Sequence, residues 1–153
     1  MKKLYRLTKQ GVDELKTELD QLTAQRSAIA ERLKTAREYG DLSENAEYAA
    51  ARQERERNEQ RISEIEYILH NVELIKASRT NGKVRLGSMV QLKGAQSDIK
   101  IFQVVGTVEA DPLNGKISDE SPIGKALLGK IKGDKVEIST PSDTAKYTIV
   151  SIN

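Results

Sequence analysis

The sequence predicts an α+β chain in two domains: an N-terminal antiparallel coiled-coil hairpin, then a β-rich domain with one short helix. Three observations support this. Apolar residues recur at alternating intervals of three and four through two consecutive runs, the runs mirror each other about residue 42, and beyond residue 84 the pattern changes to apolar–polar alternation. Composition agrees. The 153 residues are 37% hydrophobic, 4% aromatic and 31% charged, thin for one compact core and suited to an extended helical element with much wetted surface. The expected boundaries are residues 1–77 for the hairpin, 78–83 for a linker and 84–153 for the β-rich part.

Leu4 to Thr8 form a lead-in, with Thr8 placed as an N-cap. The first arm follows through Val12, Leu15, Leu19, Leu22, Arg26, Ile29, Leu33 and Ala36. The second runs through Tyr48, Ala51, Arg55, Asn58, Ile62, Ile65, Leu69 and Val72. Folding the chain at residue 42 sets Ala36 against Tyr48, Leu22 against Ile62 and Val12 against Val72. A parallel pairing would need a long return connection, whereas the turn at Gly40–Ser43 serves the antiparallel one, with Gly40 able to take a left-handed conformation. Arms of some 27–30 residues make a rod of roughly 40–45 Å. Its apolar layers are expected to concentrate at the base, while Arg26 and Asn58 pair across one layer to pin the register.

The turn reads Arg37-Glu38-Tyr39-Gly40-Asp41-Leu42-Ser43-Glu44-Asn45. Two readings fit it. Asp41 followed three residues later by Glu44 is a capping-box spacing, satisfying backbone N–H groups at the start of the second helix. The same carboxylates can instead converge on one point and offer oxygen ligands to Mg²⁺; being two, they suit a site completed by a partner. Arg37 and Arg52, behind the tip on opposite arms, either contact phosphates or are solvated and paired with Glu38 and Glu56.

After Ile75, Asn81-Gly82 signals a turn. Strands are expected around Ser88–Leu92, Lys100–Val108, Lys135–Ser139 and Lys146–Ile152. Ser121-Pro122 opens the short helix and Gly129 stops it, with Ile123, Leu127 and Leu128 as core. His70, the one histidine, has no ligand cluster around it; Glu109 and Asp111 are read as structural or docking residues.

Other classes are disfavoured. A formal charge of +2 is too small for a general nucleic-acid binder, and neither part is strongly basic: residues 1–79 carry 15 Lys/Arg and 15 Asp/Glu, residues 80–153 carry 10 and 8. The lack of cysteine excludes disulfides and thiolate metal sites. The first residues do not read as a signal peptide, and no stretch has the ~20 apolar residues of a membrane span, so the expectation is a soluble, cytoplasmic protein.

Ala36–Ala50 has the form ARxxGDLSENAEYxA and resembles the tip of the bacterial transcript cleavage (Gre) factors, nearer the GreA type than the GreB type. The resemblance continues through Val104-Val105-Gly106, Glu109-Ala110-Asp111, Gly115–Ser118, Ser121–Gly129, Gly133-Asp134 and Thr140-Pro141, covering essentially the whole chain. Phe102, where tyrosine is common, and Pro141-Ser142-Asp143, in place of a glycine-rich turn, depart from the pattern, as does the charge-rich run Arg52–Arg57.

The resemblance implies an FK506-binding-protein-like C-terminal fold without isomerase activity, docking on the rim of RNA polymerase. It implies a monomeric elongation factor that passes its coiled coil through the polymerase's secondary channel. There it would stimulate the polymerase's own cleavage of backtracked RNA, having no complete active site itself. Asp41 and Glu44 match the family's acids, which help hold a second Mg²⁺ and orient the attacking water. Arg37 and Arg52 match the basic patch that meets the nascent RNA 3′ segment; Gly40, Ser43 and Asn45 would support the turn. One alternative is a channel-binding regulator that modulates polymerase without stimulating cleavage, although such relatives have altered tips. A structural coiled-coil adaptor and a free-standing nuclease fit less well.

Overall fold

The two periodic runs become two long helices, α1 over Lys9–Arg37 and α2 over Ala46–His70. Their lengths are 29 and 25 residues, or about 43 and 37 Å at 1.5 Å per residue. The computed structural model describes residues 3–40, 45–76, 81–139, 141 and 144–153. These divide into two compact units, one of Val12–Asn71 and one of Lys3–Gly11 with Val72–Asn153. The cut expected at residue 77 therefore falls elsewhere, for a topological reason. Strand β1 (Tyr5–Leu7) pairs in parallel with β2 (Val72–Leu74), so the segments flanking the hairpin join the β-rich unit. The stretch 77–80, which includes part of the expected linker, lies outside the described residues.

Thr8 caps α1 as expected, its Oγ1 accepting from the Gly11 N–H at 3.0 Å. Within the hairpin, Val12, Leu15, Ile29, Leu33 and Ala36 of α1 are buried, as are Ala51, Ile62, Ile65 and Ile68 of α2. Ile65 is fully buried, which stabilises by about 1.5–3 kcal/mol relative to exposure.

Three expectations change. At the base, Ile68 rather than Leu69 is the buried seam residue, and Val72 has left the helix, since α2 ends at His70 and Val72 is extended in β2. Toward the tip the packing is not weak: Ile29, Leu33 and Ala51 form a buried cluster with Tyr48 against it, while Leu19 and Leu22 nearer the base are half-buried. The small side chains at Ala36 and Ala51 permit a closer approach of the arms. Finally, Arg26 and Asn58 do not pair with each other. Asn58, 6% exposed, donates from Nδ2 to the Leu22 carbonyl at 3.1 Å, and Arg26 makes two bonds to Glu59 at 2.8 and 2.9 Å. The long guanidinium reaches a carboxylate outside the seam, and the short amide reaches backbone across it.

In the second unit, β3 (Met89–Gly94), β4 (Ile99–Val105), β5 (Lys116–Ser118), β6 (Lys135–Ser139) and β7 (Thr144–Ile152) form one sheet in the order β5-β4-β3-β7-β6. Only the β4–β5 pairing is parallel among these neighbours. Alternation puts Val90, Leu92, Val104, Val136, Ile138 and Ile149 on one face, where helix α3 (Pro122–Leu127) contributes Leu127, with Ile123 and Leu128 packed against the cluster. Ser121 caps α3 by accepting from the Gly124 N–H, as its Ser-Pro start predicted. Strand β4 ends at Val105, earlier than expected. Gly106 leads into a 3-10 turn at Thr107–Glu109 that carries Glu109 to the start of α1.

No described helix is long and apolar enough to cross a membrane.

Candidate functional site

The connection between the arms is built from both sides. Helix α1 ends at Arg37; the Glu38 and Tyr39 N–H groups then bond to the Thr35 and Ala36 carbonyls at 3.2 and 3.3 Å. Gly40 takes φ +105°, a left-handed conformation that costs glycine little and terminates the helix. Asp41, Leu42, Ser43 and Glu44 lie outside the described residues. The chain is described again at Asn45, which is the N-cap of α2.

The capping-box pair Asp41 and Glu44 lies outside the described residues, and the cap that is described belongs to Asn45. Asn45 Oδ1 accepts from the Tyr48 N–H at 3.1 Å, while its Nδ2 donates to the Ala36 carbonyl at 2.7 Å. One short side chain thereby closes the first turn of α2 and ties it to the last turn of α1.

Arg37 and Arg52 are both exposed. The Arg37 guanidinium carbon stands 5.7 Å from the centroid of the Tyr48 ring, which the α2 start brings opposite the α1 end. Arg52 lies one turn from Glu56 and pairs with it at 3.3 Å, with both side chains about three-fifths exposed. Such an exposed pair is worth little in water. Sequence reasoning had treated Tyr48 only as a seam residue. The signal for its contact with Arg37 was their placement on either side of the turn.

Farther along the hairpin, charged residues join the arms. Arg61 bonds to Glu18 at 2.8 and 3.1 Å and to Glu64 at 2.9 Å, and these carboxylates hold it charged well above the ordinary guanidinium range. Glu59 is held below its ordinary value of 4.5, chiefly by its bond from Arg26. Arg32 meets Glu54 at 2.6 Å. Among the described residues no group of three His, Cys, Asp or Glu side chains is arranged to hold a metal ion. His70 directs Nδ1 at the Glu66 carbonyl within its own helix, at 2.7 Å.

Glu109 and Asp111 have local structural contacts. The Thr8 N–H and hydroxyl both donate to the Glu109 carboxylate, the former at 3.0 Å, and Lys116 Nζ lies 3.8 Å away. Asp111 accepts from the Asn114 amide at 2.6 Å.

Comparison with known proteins places these features in context. The family described as "Transcription elongation factor, N-terminal" matches residues 5–74, and "Transcription elongation factor, GreA/GreB, C-term" matches residues 79–153. The transcription elongation factor GreA of Acholeplasma laidlawii is 49% identical, over 99% of this chain and 96% of its own. GreA of Clostridium acetobutylicum is 44% identical over 98% and 97%, and that of Lactococcus lactis subsp. cremoris (strain MG1363) is 42% identical over the full length of both. Among solved structures, the transcription factor Gfh1 aligns over 100% of this chain and 99% of its own at 32% identity, with a TM-score of 0.49.

Proposed function

Because the chain belongs to the GreA/GreB family of transcription elongation factors, we propose that it stimulates a bacterial RNA polymerase to cleave its own backtracked transcript. In this reading the protein works in the cytoplasm as a monomer and has no complete active site of its own. The hairpin enters the polymerase's secondary channel, and the β-rich domain docks outside. The observation that carries the proposal is the hairpin itself: arms of 29 and 25 residues whose connection holds Asp41 and Glu44 between Gly40 and Asn45.

The donor chemistry fits Mg²⁺, a hard cation that takes oxygen ligands, and two carboxylates leave positions for ligands from the polymerase. When bound, the ion supplies Lewis-acid stabilisation and a more acidic water. Asp41 and Glu44 contribute negative charge toward that ion and accept hydrogen bonds from the attacking water. Arg37 and Arg52 bind phosphates of the nascent RNA 3′ segment, Arg52 exchanging its exposed pairing with Glu56 for a phosphate. Asn45 braces the turn through its bonds to Ala36 and Tyr48, and Gly40 supplies its left-handed residue.

The test is cleavage in a stalled, backtracked elongation complex at low Mg²⁺. The protein should accelerate release of 3′ RNA fragments. Asp41→Asn or Glu44→Gln should bind polymerase nearly as well yet lose stimulation on the order of 100-fold, the scale of removing one preorganised electrostatic group. Binding with unchanged or slower cleavage would instead identify a regulator that occupies the channel.

A further inference from the structure

We propose that Tyr48 is a positioning residue for the RNA contact, holding the Arg37 guanidinium over its ring so that the cation meets an RNA phosphate from a fixed place. The inference rests on the cleavage-factor reading and adds a residue to it. Three observations converge on Tyr48.

The first is the ring's own support. It is half-buried against the Ile29, Leu33 and Ala51 cluster, so packing restricts its orientation. Its backbone N–H is held by Asn45, whose other amide group binds the Ala36 carbonyl, one residue before Arg37. The aromatic platform and the root of the arginine are thus fixed by the same side chain.

The second is the contact geometry. At 5.7 Å from the ring centroid, the guanidinium lies within the range in which a cation is attracted to the ring face. A ring accepts no strong N–H hydrogen bonds in its plane, so the planar fork of donors remains available to a phosphate.

The third is contrast with four other arginines of the hairpin. Arg26, Arg32, Arg52 and Arg61 each pair with a carboxylate. Among the described residues Arg37 faces a ring, which orders the cation without neutralising it. An anionic ligand therefore meets a full positive charge whose side-chain entropy is already partly lost.

The experiment compares Tyr48→Phe, which keeps the ring face, with Tyr48→Leu, which keeps apolar packing but removes it. Two readouts are used: NMR ring-current shifts of the Arg37 side-chain protons in the free protein, and factor-dependent cleavage in a backtracked complex. Helical circular dichroism verifies the fold of each variant. The ring-current shift should persist in Tyr48→Phe and vanish in Tyr48→Leu. Tyr48→Leu should raise the concentration for half-maximal stimulation roughly two- to fivefold with the maximal rate retained, while Phe stays close to wild type. In an Arg37→Ala background, Tyr48→Leu should add nothing. The proposal is overturned if Phe is as damaging as Leu, or if the Leu effect persists in full without Arg37. A clear ring-current shift in a wild-type protein that stimulates no cleavage would instead locate the failure in the cleavage-factor reading.

Discussion

Replacing Glu109 with alanine should destabilise the β-rich unit by about 2–4 kcal/mol. The side chain is only 3% exposed, so solvent screens its interactions weakly. It accepts from both the N–H and the hydroxyl of Thr8, the N-cap of α1, and it lies 3.8 Å from Lys116. Two donors, the Thr8 N–H and hydroxyl, lose their acceptor, at about 1–2 kcal/mol each. For a unit of this size that lowers the midpoint of unfolding on the order of 10–20 °C.

Gly11 supplies an internal check. A Cβ there would stand 2.6 Å from Glu109 Cδ and within 2.8 Å of both carboxylate oxygens. Gly11→Ala should therefore destabilise the wild type by about 1 kcal/mol, despite alanine's better helix propensity. In the Glu109→Ala background the obstruction is gone, and the same substitution should stabilise by about 0.5–1 kcal/mol. Denaturant titration followed by amide hydrogen exchange at Val90, Leu92 and Val104 reads the β-rich unit specifically, since these residues are buried in its sheet. If Glu109→Ala lies within 0.5 kcal/mol of wild type, or Gly11→Ala has the same sign in both backgrounds, the reasoning is refuted.

Two further predictions concern the hairpin. Asn58→Ala should cost about 1–2 kcal/mol by deleting its bond to the Leu22 carbonyl, whereas Asn58→Leu should match or exceed wild-type stability and loosen the register. Urea titration ranks the three proteins, and an alanine variant as stable as wild type would contradict the role given to Asn58. The Glu59 pKa is depressed below 4.5, first by the Arg26 hydrogen bond, so its contribution is present above that pH and lost as pH falls through the folded value. Glu59→Gln should therefore differ in melting temperature from wild type at neutral pH and converge with it in acid; a difference independent of pH would contradict the pairing.

Helical spacing made the hairpin legible because each arm repeats one rule over many turns and the two arms mirror one another. The short helix was legible because Ser121 and Pro122 state its start chemically. The β1–β2 pairing was not. Each strand has three residues, too few for alternation to register, and their partners are separated by the whole hairpin. Glu109 was read as structural or docking, and its role at the α1 start depends on a residue 101 positions away. At the tip, the bond from Asn45 to the Ala36 carbonyl joins residues on opposite arms, and local spacing carries no signal for it. The packing near Ala51 was underestimated because alanine carries little hydrophobic signal while allowing close approach of the helices.

The account stands most directly on the Mg²⁺ dependence of transcript cleavage in a backtracked elongation complex. This should be measured for polymerase alone, with the wild-type protein, and with Asp41→Asn at saturating, verified binding. Shared carboxylates predict that wild type shifts the half-saturating Mg²⁺ concentration downward and that Asp41→Asn returns it to the value for polymerase alone. An unchanged Mg²⁺ requirement with wild-type protein, or an undiminished shift with Asp41→Asn, would contradict the claim that the tip acids are lent to the polymerase.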